Sequence, residues 1–317
     1  MFEQLGLIGC GLMGGSFALA ARRAGMVRRV VGYSKSPTTT QRALELGVID
    51  AQASSMLGAI SGSDLVLIAV PVAVTATVFE SIKHLHVHDT LVMDVGSTKA
   101  DVAAAAQRVL GNNAALFVPA HPIAGREVAG VNNADPDLYA GKLVILTPLE
   151  STLPEHVQRA TELWQAIGSR VTLMTPEAHD AALAAVSHFP HLAAFALMLS
   201  LIDQPEGAAF LDLAGPGFRD FTRIAAAEPH MWRDVLLANR QQVQHQSHQF
   251  RKALAALEHH MAQGDTKELL HLIDQASAAR ANWQAQNPAT AQPAAPKPAT
   301  RDDAQRPRLT NLFNTGP

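Results

Sequence analysis

The chain has one cysteine, Cys10, in 317 residues, so it holds neither a disulfide framework nor a cluster of thiolate metal ligands. It also lacks an excess of either charge: charged residues are 17% of the total and leave a net charge of -3. That excludes the basic footprint of a nucleic-acid binder or of a protein held to an anionic membrane. No uninterrupted apolar run reaches the length of a bilayer. The start, Met1-Phe2-Glu3-Gln4, carries none of the positive charge of a secretory leader, and the apolar run before Gly9-Cys10 is too short for one. We therefore expect a cytoplasmic protein whose partner is a small molecule, not nucleic acid or a membrane. What is present is a hydrophobic content of 48% and length enough for two domains, each with its own core.

The first half alternates strands and helices. Gln4 to Ile8 reads as a buried strand, followed by Gly9-Cys10-Gly11-Leu12-Met13-Gly14-Gly15-Ser16 and a helical pattern to about Gly25. Strand, then G-x-G-x-x-G, then helix is the context of a dinucleotide-binding fingerprint. Gly9 permits a tight turn, Gly11 lets the backbone approach a pyrophosphate, and Gly14 lets the helix pack on the strand. The cofactor loop is thus Gly9, Cys10, Gly11, Leu12, Met13 and Gly14, with helix N–H groups facing the phosphates.

The second strand, Arg29 to Tyr33, ends in Ser34-Lys35-Ser36. An NAD enzyme would place a carboxylate there to hold the ribose 2′-hydroxyl; a hydroxyl and a cation suit a 2′-phosphate instead. The expected cofactor is NADP rather than NAD, with Ser34 and Lys35 as contacts; the alternative is that Lys35 is a solvated charge in an NAD enzyme. Asp64 to Pro71 is a nearly continuous apolar run, as in a strand buried on both faces, and it carries Val70 and Pro71 to the cofactor side. Thr90 to Val95 is another, leading into Gly96-Ser97-Thr98-Lys99. Ser97 falls at a strand end in the row of the glycine loop, and it could also cap the helix from about Ala100 to Leu110. With Lys142 to Thr147 and Val171 to Met174 as further strands, residues 1–174 make a doubly wound α/β domain.

Between these strands lies His121-Pro122-Ile123-Ala124-Gly125-Arg126-Glu127, after the apolar run Ala115 to Ala120. That run reads as one strand, with His121 at its carboxyl end, where open α/β sheets gather ligands. Histidine is the side chain suited to take a proton near neutral pH.

From Pro176 onward only helices are expected. The first runs through Ala181, His188, His191 and Phe195 to Ile202, apolar almost all round, as in a helix buried in a core. His188 and His191 share a face, and Pro190 between them should kink the helix. They could be satisfied core groups, a metal pair or groups facing a cleft. A metal is not expected, since no third ligand accompanies them. In Gly215-Pro216-Gly217-Phe218-Arg219-Asp220-Phe221-Thr222-Arg223, Arg223 stands in an apolar setting suited to binding a carboxylate bidentately, or to an internal salt bridge with Asp220. A helix from Pro229 to about His260 carries Leu236, Val243, Phe250 and Leu257 at intervals of seven, a seam for another helix. Gly264 ends it, and Asp265-x-x-Glu268 opens a last helix through Trp283. The Ala-, Pro- and Gln-rich stretch 287–317 reads as a disordered tail.

Taken together, these residues resemble the prephenate/arogenate (cyclohexadienyl) dehydrogenase family, TyrA-type. The resemblance covers about Leu5 to Trp283. It rests on Gly9-x-Gly11-x-x-Gly14-Gly15-Ser16, Asp94-Val95-Gly96-Ser97-x-Lys99, His121-Pro122-x-Ala124-Gly125-x-Glu127, Gly141-Lys142 with Pro148, Ser187-His188-x-Pro190-His191 and Gly217-Phe218-x-Asp220-x-Thr222-Arg223-Ile224-Ala225. It implies an N-terminal Rossmann domain (1–174) followed by an all-helical domain for substrate and dimerisation (175–286). The implied activity is oxidative decarboxylation of prephenate or arogenate with hydride transfer to NADP, in tyrosine biosynthesis, by a homodimer. His121 would take the ring-hydroxyl proton and Ser97 would orient it. Arg223 and His191, with His188 nearby, would bind the substrate.

Two features depart from the family pattern: Ser34-Lys35 replaces the acid of NAD-using members, and Arg126 stands where many members carry a small residue, so it could touch a substrate carboxylate or merely the surface. No chorismate mutase domain is expected before residue 1, nor a regulatory domain of ordinary size after Trp283. Two other readings compete. A β-hydroxyacid dehydrogenase would need a catalytic lysine in the helical domain, yet Pro176 to Met261 offers only Lys252. A non-catalytic NADP-binding redox sensor would not need His121, Ser97 and Arg223 together.

Overall fold

A computed structural model describes residues 1–83, 89–125 and 128–287; the chain falls into two compact units, Met1–Phe250 and Arg251–Pro317. In the first unit, β1 (Phe2–Ile8), β2 (Val27–Tyr33), β3 (Ala51–Gln52), β4 (Leu65–Ile68), β5 (Leu91–Asp94) and β6 (Phe117–Val118) form a parallel sheet in the order β3-β2-β1-β4-β5-β6. Helices α1 (Leu12–Arg23), α2 (Pro37–Glu45), α3 (Met56–Ile60), α4 (Val72–Ile82) and α5 (Ala100–Leu110) lie between them in sequence. The strand order reverses between β1 and β4, which opens a crevice beyond their carboxyl ends. This is the expected doubly wound sheet. Only β3 escaped the sequence pattern, because its two residues are too few to show a period.

The sheet is buried on both faces, and β4 shows why its sequence is apolar throughout. Leu65 and Leu67 join Leu5, Leu7, Phe17 and Trp164 on one side, while Val66 and Ile68 join Phe79, Val102 and Phe117 on the other. Trp164, from α6 (Pro154–Ala166), meets Phe17 edge-on at 5.0 Å. Full burial of such side chains contributes roughly 1.5–3 kcal/mol each.

The run Ala115 to Ala120 is not one strand. Pro119 divides it, because proline has no N–H to continue a ladder, and its carbonyl accepts from Thr147 N at 2.9 Å. After Pro119 the chain enters β7 (Ala120–Pro122), which belongs to a second sheet with β8 (Leu143–Leu146) and β9 (Arg170–Leu173). His121 lies within β7, opposite Ile145 of the antiparallel β8. It is therefore not at the carboxyl end of a main-sheet strand.

The helical part begins with α7 (Pro176–Leu183), a π-turn at Ala184–His188, and α8 (Phe189–Ile202). Thr175 caps α7 by accepting from Ala178 N at 3.2 Å. The expectation of a core helix fails here: in α8 only Ala194 is buried. By length and composition alone Pro176–Ile202 could cross a bilayer, which the absence of an uninterrupted apolar run did not foretell. Its first turns are instead tied to the sheet region through Asp180, which accepts from the backbone N–H groups of Lys99 and Ala100.

There follow α9 (Gly207–Asp212), α10 (Pro216–Thr222), a 3-10 turn at Arg223–Ala226, α11 (Pro229–Ala238) and α12 (Arg240–Gln263). The single helix expected from Pro229 breaks at Asn239, whose side chain is buried and drawn into hydrogen bonds. Along the seam Val243 is buried, whereas Phe250, Leu254 and Met261 are exposed. Gly264, at φ +65°, ends α12, and Asp265 caps α13 (Thr266–Gln286) by accepting from Glu268 N at 3.1 Å. The stretch read as a tail lies, from residue 288, outside the described residues.

Candidate active site

The glycine loop forms where the chain leaves β1. Gly9 adopts φ +101°, open to glycine but strained for other residues, and a Cβ there would lie 2.2 Å from the Ala69 carbonyl oxygen. A Cβ at Gly14 would lie 2.2 Å from the Gly9 carbonyl oxygen, so α1 sits as close as it does only because that position has none. At Gly11, by contrast, a Cβ would meet nothing within 4 Å. Gly11 is the N-cap of α1, which has no side-chain cap and no acid in its first turn. Uncapped N–H groups beside open space are what a pyrophosphate requires, so the residues present fit a dinucleotide. Cys10 and Leu12 are buried and Met13 is half-buried, leaving their backbone to serve the loop. Burial pushes the Cys10 thiol up to about 12 and keeps it unreactive.

Past β2, Ser34 is half-buried and Lys35 exposed, while Ser36 caps α2 through Thr39 N at 3.5 Å. Val70 and Pro71 lie between β4 and α4, with Pro71 exposed. Ile8 pairs with Ile68, and Ile68 with Asp94, so β1, β4 and β5 end level. Asp94 is buried and organises the next turn. It accepts from Ala120 N at 3.0 Å, from Gly96 N at 2.9 Å and from the buried Lys99 ammonium. Lys99 also donates to the Ala120 carbonyl at 3.0 Å. This clasp holds β7, and with it His121, against the carboxyl end of β5.

His121 is half-buried, and its Nδ1 lies 2.8 Å from Nε2 of the buried His179. His179 Nδ1 lies 2.8 Å from Asp180 Oδ1. Asp180 accepts in addition from Lys99 N at 2.9 Å and Ala100 N at 3.0 Å. It is thus Asp180, not Ser97, that caps α5, and His179 engages the His121 Nδ1, while Ser97 lies half-buried between β5 and α5. Burial, then the neighbouring His179, Lys99 and His188, hold His121 well below the ordinary imidazole value. Burial alone would raise the Asp180 carboxyl, but the hydrogen bonds from His179, Ala100 and Lys99 outweigh it and leave Asp180 below its usual range.

Two further histidines complete the cluster. His188 is buried; its Nδ1 accepts from Asn239 Nδ2 at 3.0 Å, and the same amide donates to the Asp180 carbonyl at 2.7 Å. His188 Nε2 is buried without a hydrogen-bond partner among the described residues. Burial, opposed by Asp180 and reinforced by His179 and His191, pushes His188 down to about 4. His191 stacks on Trp232 with centroids 3.5 Å apart and donates through Nδ1 to the Ser187 carbonyl at 2.9 Å. Burial lowers its basicity, the Ser187 bond opposes that, and the charge of Arg223 lowers it further. Arg223, at the start of the 3-10 turn, therefore lies close enough to His191 to act on it. Arg126 lies outside the described residues.

The chain matches two family models in succession: "Prephenate dehydrogenase, nucleotide-binding domain" over residues 17–173 and "Prephenate dehydrogenase, dimerization domain" over residues 175–275. It is 34% identical to the prephenate dehydrogenase of Bacillus subtilis over 275 residues, covering 85% of this chain and 73% of the relative. The chain belongs to the prephenate dehydrogenase family. It is also 34% identical to the cyclohexadienyl dehydrogenase of Zymomonas mobilis, over 75% of this chain and 82% of that one. The crystal structure of prephenate dehydrogenase from A. aeolicus, in complex with hydroxyphenyl propionate and NAD+, superposes with a TM-score of 0.83 at 35% identity, covering 89% of this chain and 98% of that one. The chain is accordingly an oxidoreductase of this tyrosine-biosynthesis family.

Within this family member the structure sets His121 beside His188, His188 beside His191 and His191 beside Arg223, and it adds residues to which sequence reasoning gave no role: His179, Asp180, Asn239, Trp232 and the Asp94–Lys99 pair. One signal was available. Asp180 follows His179 directly in the first turns of an otherwise apolar helix, and a polar pair buried there needs partners.

Proposed function

We propose that the chain catalyses the oxidative decarboxylation of prephenate, arogenate or both, with NADP as the cofactor, acting as a cytoplasmic homodimer. Residues 1–174 would serve as the dinucleotide-binding domain and 175–286 as the substrate and dimerisation domain. The carrying observation is His121: clasped to the end of β5, depressed in basicity and connected to the histidine cluster of the helices. A base must be neutral to accept a proton, and this one stays neutral at physiological pH.

Gly9, Gly11, Gly14 and the start of α1 would hold the pyrophosphate, Val70 and Pro71 would flank the dinucleotide, and Ser34 with Lys35 would meet the 2′-phosphate. The bound nicotinamide dinucleotide supplies the acceptor for the hydride. His121 takes the ring-hydroxyl proton and returns it to the same oxygen once the carbon–carbon bond to the leaving carboxylate has broken and CO2 has departed. The electrons of that bond complete the aromatic ring, so no metal is needed to drive the loss. Arg223 offers a planar guanidinium for a substrate carboxylate, with His191 and His188 beside it; Ser97 and Arg126 are further candidates for substrate contact. The exposed apolar surface of α8, with Leu199 and Ile202, supports dimerisation through the helical part.

The test is formation of reduced cofactor by the purified protein, with prephenate and arogenate each assayed against NAD and NADP. NADP reduction with at least one substrate is expected. No turnover with either would overturn the activity, and a higher kcat/KM with NAD would overturn the cofactor reading.

A further inference from the structure

The histidine cluster contains a chain of three side chains whose protonation can be derived in order. Asp180 accepts two backbone N–H bonds, from Lys99 and Ala100, and lies 2.8 Å from His179 Nδ1. A carboxylate so placed is an acceptor only, so the hydrogen between it and His179 belongs to Nδ1 of the imidazole. The other nitrogen of neutral His179, Nε2, is then a lone pair. It faces His121 Nδ1 at 2.8 Å, and a hydrogen bond there requires that His121 carry its hydrogen on Nδ1. His121 Nε2 is left bare.

We propose that His179 and Asp180 are positioning residues that fix His121 in the Nδ1–H tautomer and so make Nε2 its proton-accepting atom. The inference rests on the reading of His121 as the base. A free imidazole would exchange tautomers and turn about its Cα–Cβ and Cβ–Cγ bonds, presenting a bare Nε2 only part of the time. Here the anchor is rigid, because Asp180 is pinned to the first turn of α5 while Asn239 donates to the Asp180 carbonyl. When Nε2 takes the hydroxyl proton, an O–H bond breaks and an N–H bond forms. The resulting imidazolium keeps its Nδ1–H directed at His179, whose own Nδ1–H stays on the Asp180 carboxylate. The positive charge is stabilised through that chain without transfer of a proton to the acid. Among the described residues the charged or titratable groups acting on His121 are His179 from α7, Lys99 from the start of α5 and His188 from the π-turn. Lys99 is neutralised by Asp94, which leaves His179 as the one in hydrogen-bonding contact.

Two measurements on the full chain test this. In histidine nitrogen–proton correlation spectra at neutral pH, taken without substrate, His121 (assigned by its loss in His121→Asn) should show a protonated Nδ1 and a bare Nε2. In His179→Leu it should shift toward the mixed or Nε2–H form. In turnover assays, His179→Leu should lower kcat by about 10²-fold while changing substrate KM less than about threefold. His179→Gln places an amide oxygen near the position of Nε2 and should recover at least about a tenth of wild-type kcat. A protonated Nε2 in the wild-type protein, a kcat for His179→Leu within about threefold of wild type, or a Gln variant no better than the Leu variant would each overturn the proposal. If the wild-type protein turns over neither substrate, the proposed function fails, and the tautomer spectra still decide whether His179 fixes His121.

Discussion

Replacing Lys99 by methionine should destabilise the protein severely without touching its surface. Lys99 and Asp94 form an ion pair with side-chain exposures of 0% and 1%. The ammonium bonds the carboxylate and the Ala120 carbonyl, while the carboxylate holds Ala120 N and Gly96 N. Methionine fills much of the same volume, so the loss is electrostatic. It leaves a buried carboxylate with two backbone donors and no counter-charge, and a carbonyl without its donor. Removing one partner of such a pair costs about 3–5 kcal/mol. For a unit of this size that is a fall of about 6–20 °C in Tm.

Urea unfolding followed by fluorescence, with Trp164 buried in the core, and calorimetry would both read it. The sign of the pH dependence identifies the cause. A buried carboxyl group without a counter-charge favours its neutral form, so acid relieves the penalty. The deficit of Lys99→Met relative to wild type should therefore shrink as pH falls. The double variant Lys99→Met/Asp94→Asn, which keeps an acceptor but removes the charge, should regain more than half of the loss. A single-variant cost under about 1 kcal/mol would refute the assignment of the clasp as a buried pair whose partners depend on each other. A double variant no better than the single would refute it as well.

Other outcomes follow from the same geometry. Ser34→Asp puts a carboxylate beside the proposed 2′-phosphate position and should move the kcat/KM ratio toward NAD by about 10–100-fold; an unchanged ratio would remove Ser34 from cofactor choice. Arg223→Ala should raise substrate KM by about 10–100-fold with cofactor KM unchanged, and an unaltered substrate KM would exclude it as the carboxylate clamp. His188, pushed down to about 4 in the folded protein, titrates near 6.5 when unfolded. Its contribution is intact above about pH 6.5 and is lost as pH falls toward 4, because the unfolded chain binds the proton first; from pH 7 to pH 5 that is about 2 kcal/mol. His121, depressed in the same direction, adds to it. A stability that stays flat over this interval in urea titrations would contradict the burial of both rings.

The doubly wound sheet was legible in the sequence because its signals are local. Strand, glycine turn and helix succeed one another within a few residues, and β4 is apolar on both faces. The site was legible only in part, and the π-turn shows why. On a continuous α-helix at about 100° per residue, His188 would point about 180° from His179, and His191 about 120° from it. No periodicity argument would group the three. The π-turn at Ala184–His188 absorbs roughly one residue of phase, which brings those angles to about 80° and about 20°. Pro190 lies just beyond that turn, and with no N–H of its own it forgoes one helix hydrogen bond. A kink was the expected consequence; the π-turn also changes the phase of the helix, and that draws His179 and His188 toward a common side. Asn239 was hidden for a similar reason. Its side chain bonds the Asp180 carbonyl and His188 across more than fifty residues of sequence, and the break between α11 and α12 occurs where that amide turns inward. Helical seams are read from repeats, whereas His179, Asp180, His188 and Asn239 meet because the repeat is interrupted twice, and both interruptions lie at the cluster that positions His121.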